Sequence, residues 1–251
     1  MEIFTLERYR PSYAAAAVLL QALLLSGCNS EADTQGAPSG AAASAGAERA
    51  VDGAAIAMPP APAGPERLIL AFGDSLYAGY GVARGHSLPD AVQAGLRQGG
   101  INATLVNAGV SGDTSAAGRQ RFAFALDSLA RKPDLILLGL GGNDVLRQIA
   151  PAETRANLTA MLDEARRRGN PVLLTGMRAP PNLGPDYRQA FDTIWPDLAR
   201  TYDAGLYPFI LDGVIGDAAL MQSDHVHPNT RGIDRIAARM TPIVVGQLKK
   251  G

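Results

Sequence analysis

The 251 residues include a single cysteine, Cys28, so no disulfide can form within the chain. Neither sign of charge is in excess. Lys and Arg number 23 against 24 Asp and Glu, a formal net charge of -1, which argues against a nucleic-acid partner, because phosphates call for a basic face. No internal repeat is present. No Gly-x-Ser-x-Gly segment occurs, which argues against the strand-to-helix nucleophile turn of α/β-hydrolases. No Walker A sequence occurs either, and the run Gly139-Leu140-Gly141-Gly142-Asn143-Asp144 starts like a dinucleotide loop but places Asp144 where its last glycine belongs. The length suits one or two domains with a sizeable core.

Residues 1–11 are short and charged, and 12–25 form an apolar run followed by Ser26-Gly27-Cys28. A run this short reads as the core of a signal peptide rather than a full membrane span. Leu25-Ser26-Gly27-Cys28 resembles the lipobox of bacterial lipoproteins, which implies a signal peptide over 1–27, lipidation of Cys28, export, and attachment to a membrane facing the periplasm. The alternative is an ordinary signal peptide cut nearby with an idle cysteine. The first segment is less basic than usual, since Glu2 and Glu7 offset Arg8 and Arg10. Residues 28–65 are dominated by Ala, Gly, Ser and Pro, a composition that cannot bury enough apolar surface to offset ordering, and read as a flexible tether. Setting aside the three basic and six acidic residues of 1–65 leaves 20 basic and 18 acidic residues in a near-neutral body, 66–251.

That body alternates two patterns. Apolar runs at 67–72, 104–107, 134–140, 171–175 and 207–211 read as five strands. Helical spacing or helix punctuation marks 88–97, 115–131, 151–168, 187–202 and 230–249, with Pro242 expected to kink or end the last helix. Arg166, Arg167 and Arg168 close the third helix, where they complement its dipole and are expected to face solvent. Strands separated by helices imply a parallel sheet covered on both faces, and ligands of such sheets bind beyond the carboxyl ends of the strands.

Gly73-Asp74-Ser75-Leu76 ends the first strand, and Asp224-His225-Val226-His227 precedes the last helix. A hydroxyl on a strand-end turn and a carboxylate three residues before an imidazole are the parts a serine hydrolase needs, because serine is a poor nucleophile until an oriented base takes its proton. Two more blocks lie between, Asn107-Ala108-Gly109-Val110-Ser111-Gly112-Asp113-Thr114 and Gly141-Gly142-Asn143-Asp144, each after a strand. In this order the four blocks resemble the GDSL family of SGNH hydrolases, most closely its bacterial arylesterase, thioesterase I and lysophospholipase L1 branch. The resemblance runs from about Leu68 to near the carboxyl terminus and includes Met177-Arg178-Ala179-Pro180-Pro181-Asn182.

The resemblance implies a three-layer α/β/α sandwich on a flavodoxin-like five-stranded parallel sheet, and a serine esterase of aryl, short or medium acyl esters, thioesters or lysophospholipids. It assigns Ser75 as nucleophile, His227 as base and Asp224 as the group orienting it. The oxyanion hole falls to the backbone N–H of Ser75 and of Gly112 and to the Asn143 amide. Leu76, Tyr77, Met177, Pro180, Pro181 and Leu183 are candidate walls of an acyl channel. No metal or organic cofactor is implied, and the partners are a small acyl ester and a membrane reached through the lipid anchor, with no nucleic acid and no obligate protein partner. A sugar or cell-wall O-acetyl esterase and a non-catalytic binding module on the same scaffold are the alternatives. Asp74, Asp113 and Asp144 read as turn braces, Ser111 as a hydroxyl without the strand-end position, and His86 as a surface residue. The departure from the family is His225, where the branch usually has glycine; it reads as a solvent-facing neighbour of the base. Asp224, His225 and His227 could instead be metal ligands, but no fourth ligand of the right type lies nearby.

Overall fold

The computed structural model describes residues 58–250. The signal segment 1–27, Cys28 and the stretch up to residue 57 lie outside the described residues. Residues 58–65, read above as the end of the tether, are held to the body. Gln93 Nε2 reaches Met58 Sδ at 3.2 Å, Arg97 Nη1 donates to Pro59 O at 3.0 Å, and Asn102 Nδ2 donates to Gly64 O at 3.1 Å.

Five parallel strands form one sheet: β1 (Arg67–Gly73), β2 (Ala103–Gly109), β3 (Leu135–Gly139), β4 (Val172–Thr175) and β5 (Gly205–Tyr207), in the order β2-β1-β3-β4-β5. The helices are α1 (Ser75–Ala78), α2 (Leu88–Gln98), α3 (Ser115–Asp127), α4 (Gly142–Leu146), α5 (Pro151–Arg167), α6 (Pro185–Asp192), α7 (Ile194–Tyr202) and α8 (Thr230–Leu248). Successive strand side chains point to opposite faces, and the core divides accordingly. Ile69, Ala71, Leu135, Leu137 and Leu173 pack under α2 and α8, whereas Leu70, Phe72, Ile136, Leu138 and Leu174 pack under α3, α5 and α7. Burial on both faces explains why β1 and β3 read as unbroken apolar runs rather than alternating ones. Each fully buried Leu or Ile contributes about 1.5–3 kcal/mol relative to exposure.

At the carboxyl edge, Gly73 pairs in register with Gly109 on one side and Gly139 on the other. Gly73 and Gly139 make a slot for the ring of Tyr77, and Gly109 lets the backbone of α1 come close. A Cβ at Gly73 would stand 2.5 Å from Tyr77 Cδ2, one at Gly139 2.3 Å from Cε2, and one at Gly109 2.8 Å from Tyr77 Cβ. Tyr77 is fully buried, and its hydroxyl pairs with Thr175 Oγ1 at 3.1 Å. The ring thus bolts α1 onto the ends of three strands.

Several elements differ from the sequence expectation. The helix expected over 187–202 is two helices, because Pro196 cannot donate to the Asp192 carbonyl and its ring crowds it. α6 closes there, and α7 restarts with the proline in its first turn. The fifth strand lies at Gly205–Tyr207 rather than 207–211, since Pro208 removes the next ladder donor. α3 ends at Asp127, earlier than 131, while α8 runs through Pro242 without a break. α1 and α4 were not foreseen. Of the arginines ending α5, Arg166 and Arg167 are exposed as expected, Arg166 also donating to Thr201 O at 2.8 Å and lying over the Tyr202 ring, while Arg168 is half-buried and pairs with Asp127 and Glu164. His86, expected at the surface, is buried.

Candidate active site

Ser75 is the first residue of α1, and the Asp74 carboxylate caps that turn by accepting the Leu76 N–H at 3.1 Å. A helix of four residues has no intrahelical partner for its first N–H groups, so the Ser75 amide is presented at the sheet edge together with its hydroxyl. Burial, partly offset by the Leu76 N–H and reinforced by the charges of Asp144 and Asp113, pushes the Asp74 carboxyl up to about 7. Arg121 braces the adjoining loop, with Nε on Asp113 at 2.6 Å, Nη1 on Ala108 O and Nη2 on Gly73 O. Asp144, fully buried, accepts from Ser115 N at 2.8 Å, from the Ser115 hydroxyl and from Thr154 Oγ1 at 3.0 Å. Both aspartates are therefore loop braces.

The imidazole arrives from 152 residues further along the chain. Ser75 Oγ lies 2.8 Å from His227 Nε2, and His227 Nδ1 lies 2.7 Å from Asp224 Oδ2. With the carboxylate accepting from Nδ1–H, Nε2 is left as the acceptor for the serine hydroxyl. The other Asp224 oxygen accepts Val226 N–H at 2.9 Å and His227 N–H at 3.0 Å. Desolvation alone would raise the Asp224 carboxyl; these two backbone donors and the imidazole outweigh it and bring it down to about 2. It is therefore ionised at neutral pH.

Ser75 and His227 border a cavity of about 480 Å³, with Asp224 behind the imidazole. Ser75, Gly112, Asn143 and His227 line it, so the sheet edge brings together all the residues assigned to the relay and the oxyanion hole. Gly112 has φ +86°, the left-handed region that glycine enters freely. Asn143 Nδ2 spends one hydrogen on Asp113 O at 2.9 Å, and the amide carries a second. Leu76, Met177, Pro180 and Pro181 line the cavity as expected. Tyr77 and Leu183 do not. Tyr77 is taken by the glycine slot, and Leu183 packs against the core cluster that holds Phe191 and Trp195.

Other lining residues were missed. Val145 and Leu146 follow Asn143 on α4, Phe209 and Leu211 lie where a strand had been expected, and the Tyr80 ring lies against His227, centroids 4.5 Å apart and planes tilted by 38°. The available signal for the first pair was their place just after Asn143 in the segment that follows β3; for the second it was Pro208, which frees them from the sheet. His225 also lines the cavity, with φ +58°, which explains why glycine suits this position. Asp224, His225 and His227 form no metal-ligating group; among the described residues no three His, Cys, Asp or Glu side chains do.

Residues 71–235 match the GDSL-like lipase/acylhydrolase family. The chain belongs to this family. It is 38% identical over 174 residues to esterase TesA of Pseudomonas aeruginosa, covering 69% of this chain and 86% of that protein. Against thioesterase 1/protease 1/lysophospholipase L1 of Escherichia coli K12 it is 34% identical over 180 residues, 70% of this chain and 84% of the other. Among solved structures, the SGNH-hydrolase family esterase AlinE4 is 53% identical, with a TM-score of 0.63 over 73% of this chain and 97% of that one. The five-stranded parallel sheet and its flanking helices are the SGNH hydrolase fold.

Proposed function

We propose that this GDSL-family protein is a serine esterase that hydrolyses acyl esters through an acyl-enzyme on Ser75. The observation that carries the reading is the hydroxyl, imidazole and carboxylate chain, with steps of 2.8 and 2.7 Å, on the wall of an apolar cavity. Ser75 Oγ attacks the carbonyl carbon while His227 Nε2 takes its proton, so that a C–O bond forms and the carbonyl electron pair moves to oxygen. The N–H groups of Ser75 and Gly112 and the Asn143 amide receive that oxyanion. Collapse expels the alcohol or thiol, protonated by the imidazolium, and leaves acyl-Ser75. Water, deprotonated by His227, then attacks the acyl carbonyl, and the acid is released as Ser75 recovers its proton. Asp224 holds the imidazole tautomer and its charged form throughout.

The cavity wall favours short to medium acyl chains over acetyl. Leu76, Val145, Met177, Pro180 and Leu211 give apolar surface that an acetyl group would leave uncovered. A series of nitrophenyl esters of rising chain length, with fluorophosphonate labelling of Ser75, tests both parts. We expect labelling in the wild type, none in Ser75→Ala, and a kcat/KM maximum beyond acetate. An acetate optimum would return the O-acetyl esterase reading, and an unlabelled wild type would reduce the protein to a binding module.

We also propose that Cys28 carries the lipid anchor and that the enzyme faces the periplasm. The support is the sequence Leu25-Ser26-Gly27-Cys28 after its apolar run. Incorporation of a labelled fatty acid by the wild type but not by Cys28→Ala is the expected result; equal incorporation would refute it.

A further inference from the structure

What holds Ser75 and His227 at hydrogen-bond distance is not evident from the sheet. Ser75 rides on α1, bolted to the strand ends, whereas His227 sits in a loop that joins no strand of the sheet. Most hydrogen bonds of that loop shape it from within. Gln222 N–H donates to His227 O at 2.8 Å, His225 N–H to Gln222 O at 3.0 Å, and Asn229 N–H to Leu220 O at 2.9 Å. None of these sets the loop's distance from the serine.

The Gln222 side chain does. Its Nε2 donates to Tyr80 O at 2.8 Å, across 142 residues of sequence, and to Pro228 O at 3.0 Å, beside the histidine. Tyr80 is in turn tied to the nucleophile, because its N–H donates to Ser75 O at 3.2 Å. A closed circuit results: Ser75 to Tyr80, Tyr80 to Gln222, Gln222 to the His227 segment, and His227 back to Ser75. Gly81 makes room for it. It has φ +71°, and a Cβ there would stand 2.1 Å from Gln222 Oε1. The Tyr80 ring, tilted against His227, covers the same junction.

We propose that Gln222 is a positioning residue that clasps the nucleophile's segment to the base's segment and so sets the Ser75–His227 separation. The inference rests on the esterase reading. A neutral amide suits the task, since it offers two N–H groups to two carbonyls without placing a charge beside the imidazole. Misplacement of reacting groups by about 1 Å costs on the order of 10²-fold in rate, and the clasp is a hydrogen-bonded cross-segment restraint whose loss would allow that.

Gln222→Met in the full chain keeps the volume and removes both donors. We expect kcat to fall about 10- to 100-fold on a nitrophenyl ester with KM within about twofold. The rate of Ser75 labelling by a fluorophosphonate should fall in proportion. A crystal structure of the variant should show Ser75 Oγ and His227 Nε2 beyond hydrogen-bond reach, more than about 3.2 Å. Gly81→Ala, which expels the amide from the other side, should reproduce the kinetic loss should Gln222→Met fail to fold. Wild-type kcat, a loss confined to KM, or an unchanged 2.8 Å separation in the variant would overturn the proposal. Failure of the esterase reading looks different: the wild type itself would not label, while the crystallographic separation would still judge the clasp.

Discussion

Gly139→Ala tests the slot that seats α1. The new methyl would lie 2.3 Å from Tyr77 Cε2 and 2.4 Å from Thr175 Oγ1. The threonine hydroxyl can rotate away, but the ring is fully buried, with Gly73 against its Cγ and Cδ2 and Gly109 against the Tyr77 Cβ. Overpacking of this kind costs about 1–3 kcal/mol, and contact this close on a trapped ring belongs at the upper end. A domain of this size loses about 2–4 °C per kcal/mol, so a fall of roughly 6–12 °C is expected. Tyr77→Ala alone deletes the ring and its hydrogen bond, at about 3–5 kcal/mol. If the ring is what residue 139 must avoid, the two changes cannot add: in the Tyr77→Ala background Gly139→Ala should cost about 2 kcal/mol less than in the wild type. Gly109→Ala is the contrast, because its methyl would also strike the Ala78 backbone nitrogen at 2.4 Å, which Tyr77→Ala does not remove. Urea unfolding followed by circular dichroism gives all the values. Additivity at Gly139, or equal rescue at Gly109, would refute the reasoning.

Three further outcomes are expected. Asn143→Ala should lower kcat on a soluble ester about 10²- to 10³-fold, the usual cost of one oxyanion donor; unchanged turnover would remove Asn143 from the hole. His227→Ala should abolish turnover and Ser75 labelling, whereas His225→Gly should retain both within about threefold and, since φ +58° is relaxed for glycine, melt no lower than the wild type; loss of activity only in His225→Gly would reverse the assignment. Asp74 holds its proton in the folded state up to about 7, while the unfolded chain releases it near 3.8. Stability should therefore decline as pH rises from about 4 to about 7 and level off above, by about 4 kcal/mol at most. Asp74→Asn keeps an oxygen for the Leu76 N–H and should flatten that slope in melting curves; parallel curves for the two proteins would sink the idea.

How far the sequence was legible depended on the range of the interactions involved. β1 and β3 declared themselves because burial on both faces demands apolar side chains at every position. Ser87 and Asn229, which cap α2 and α8 through local hydrogen bonds, likewise sit where a local rule operates. Ser75, Gly112 and Asn143 were read as ordered blocks after strands, and a parallel sheet collects its strand ends on one edge; Asp224 and His227 were read as a block before the last helix. Tyr77 was misread because its neighbour Leu76 does line the cavity. On a single helical turn adjacent side chains point in very different directions, and only the three paired glycines reveal that one ring goes down into the sheet. Phe209 and Leu211 entered the cavity unannounced, since their segment was read as strand although Pro208 forbids the ladder. Tyr80 and Gln222 could not have been paired from sequence, because their bond closes a loop of 142 residues.

The nucleophile and the base come from one turn of helix and one short loop, while the segments after β3, β4 and β5 supply most of the cavity wall. Natural variation can therefore reshape what is accepted without disturbing how it is cleaved, and laboratory evolution toward bulkier or more slender acids has an open field at Leu146, Pro181 and Ile215, three solvent-accessible positions whose replacement leaves the bond-breaking apparatus alone.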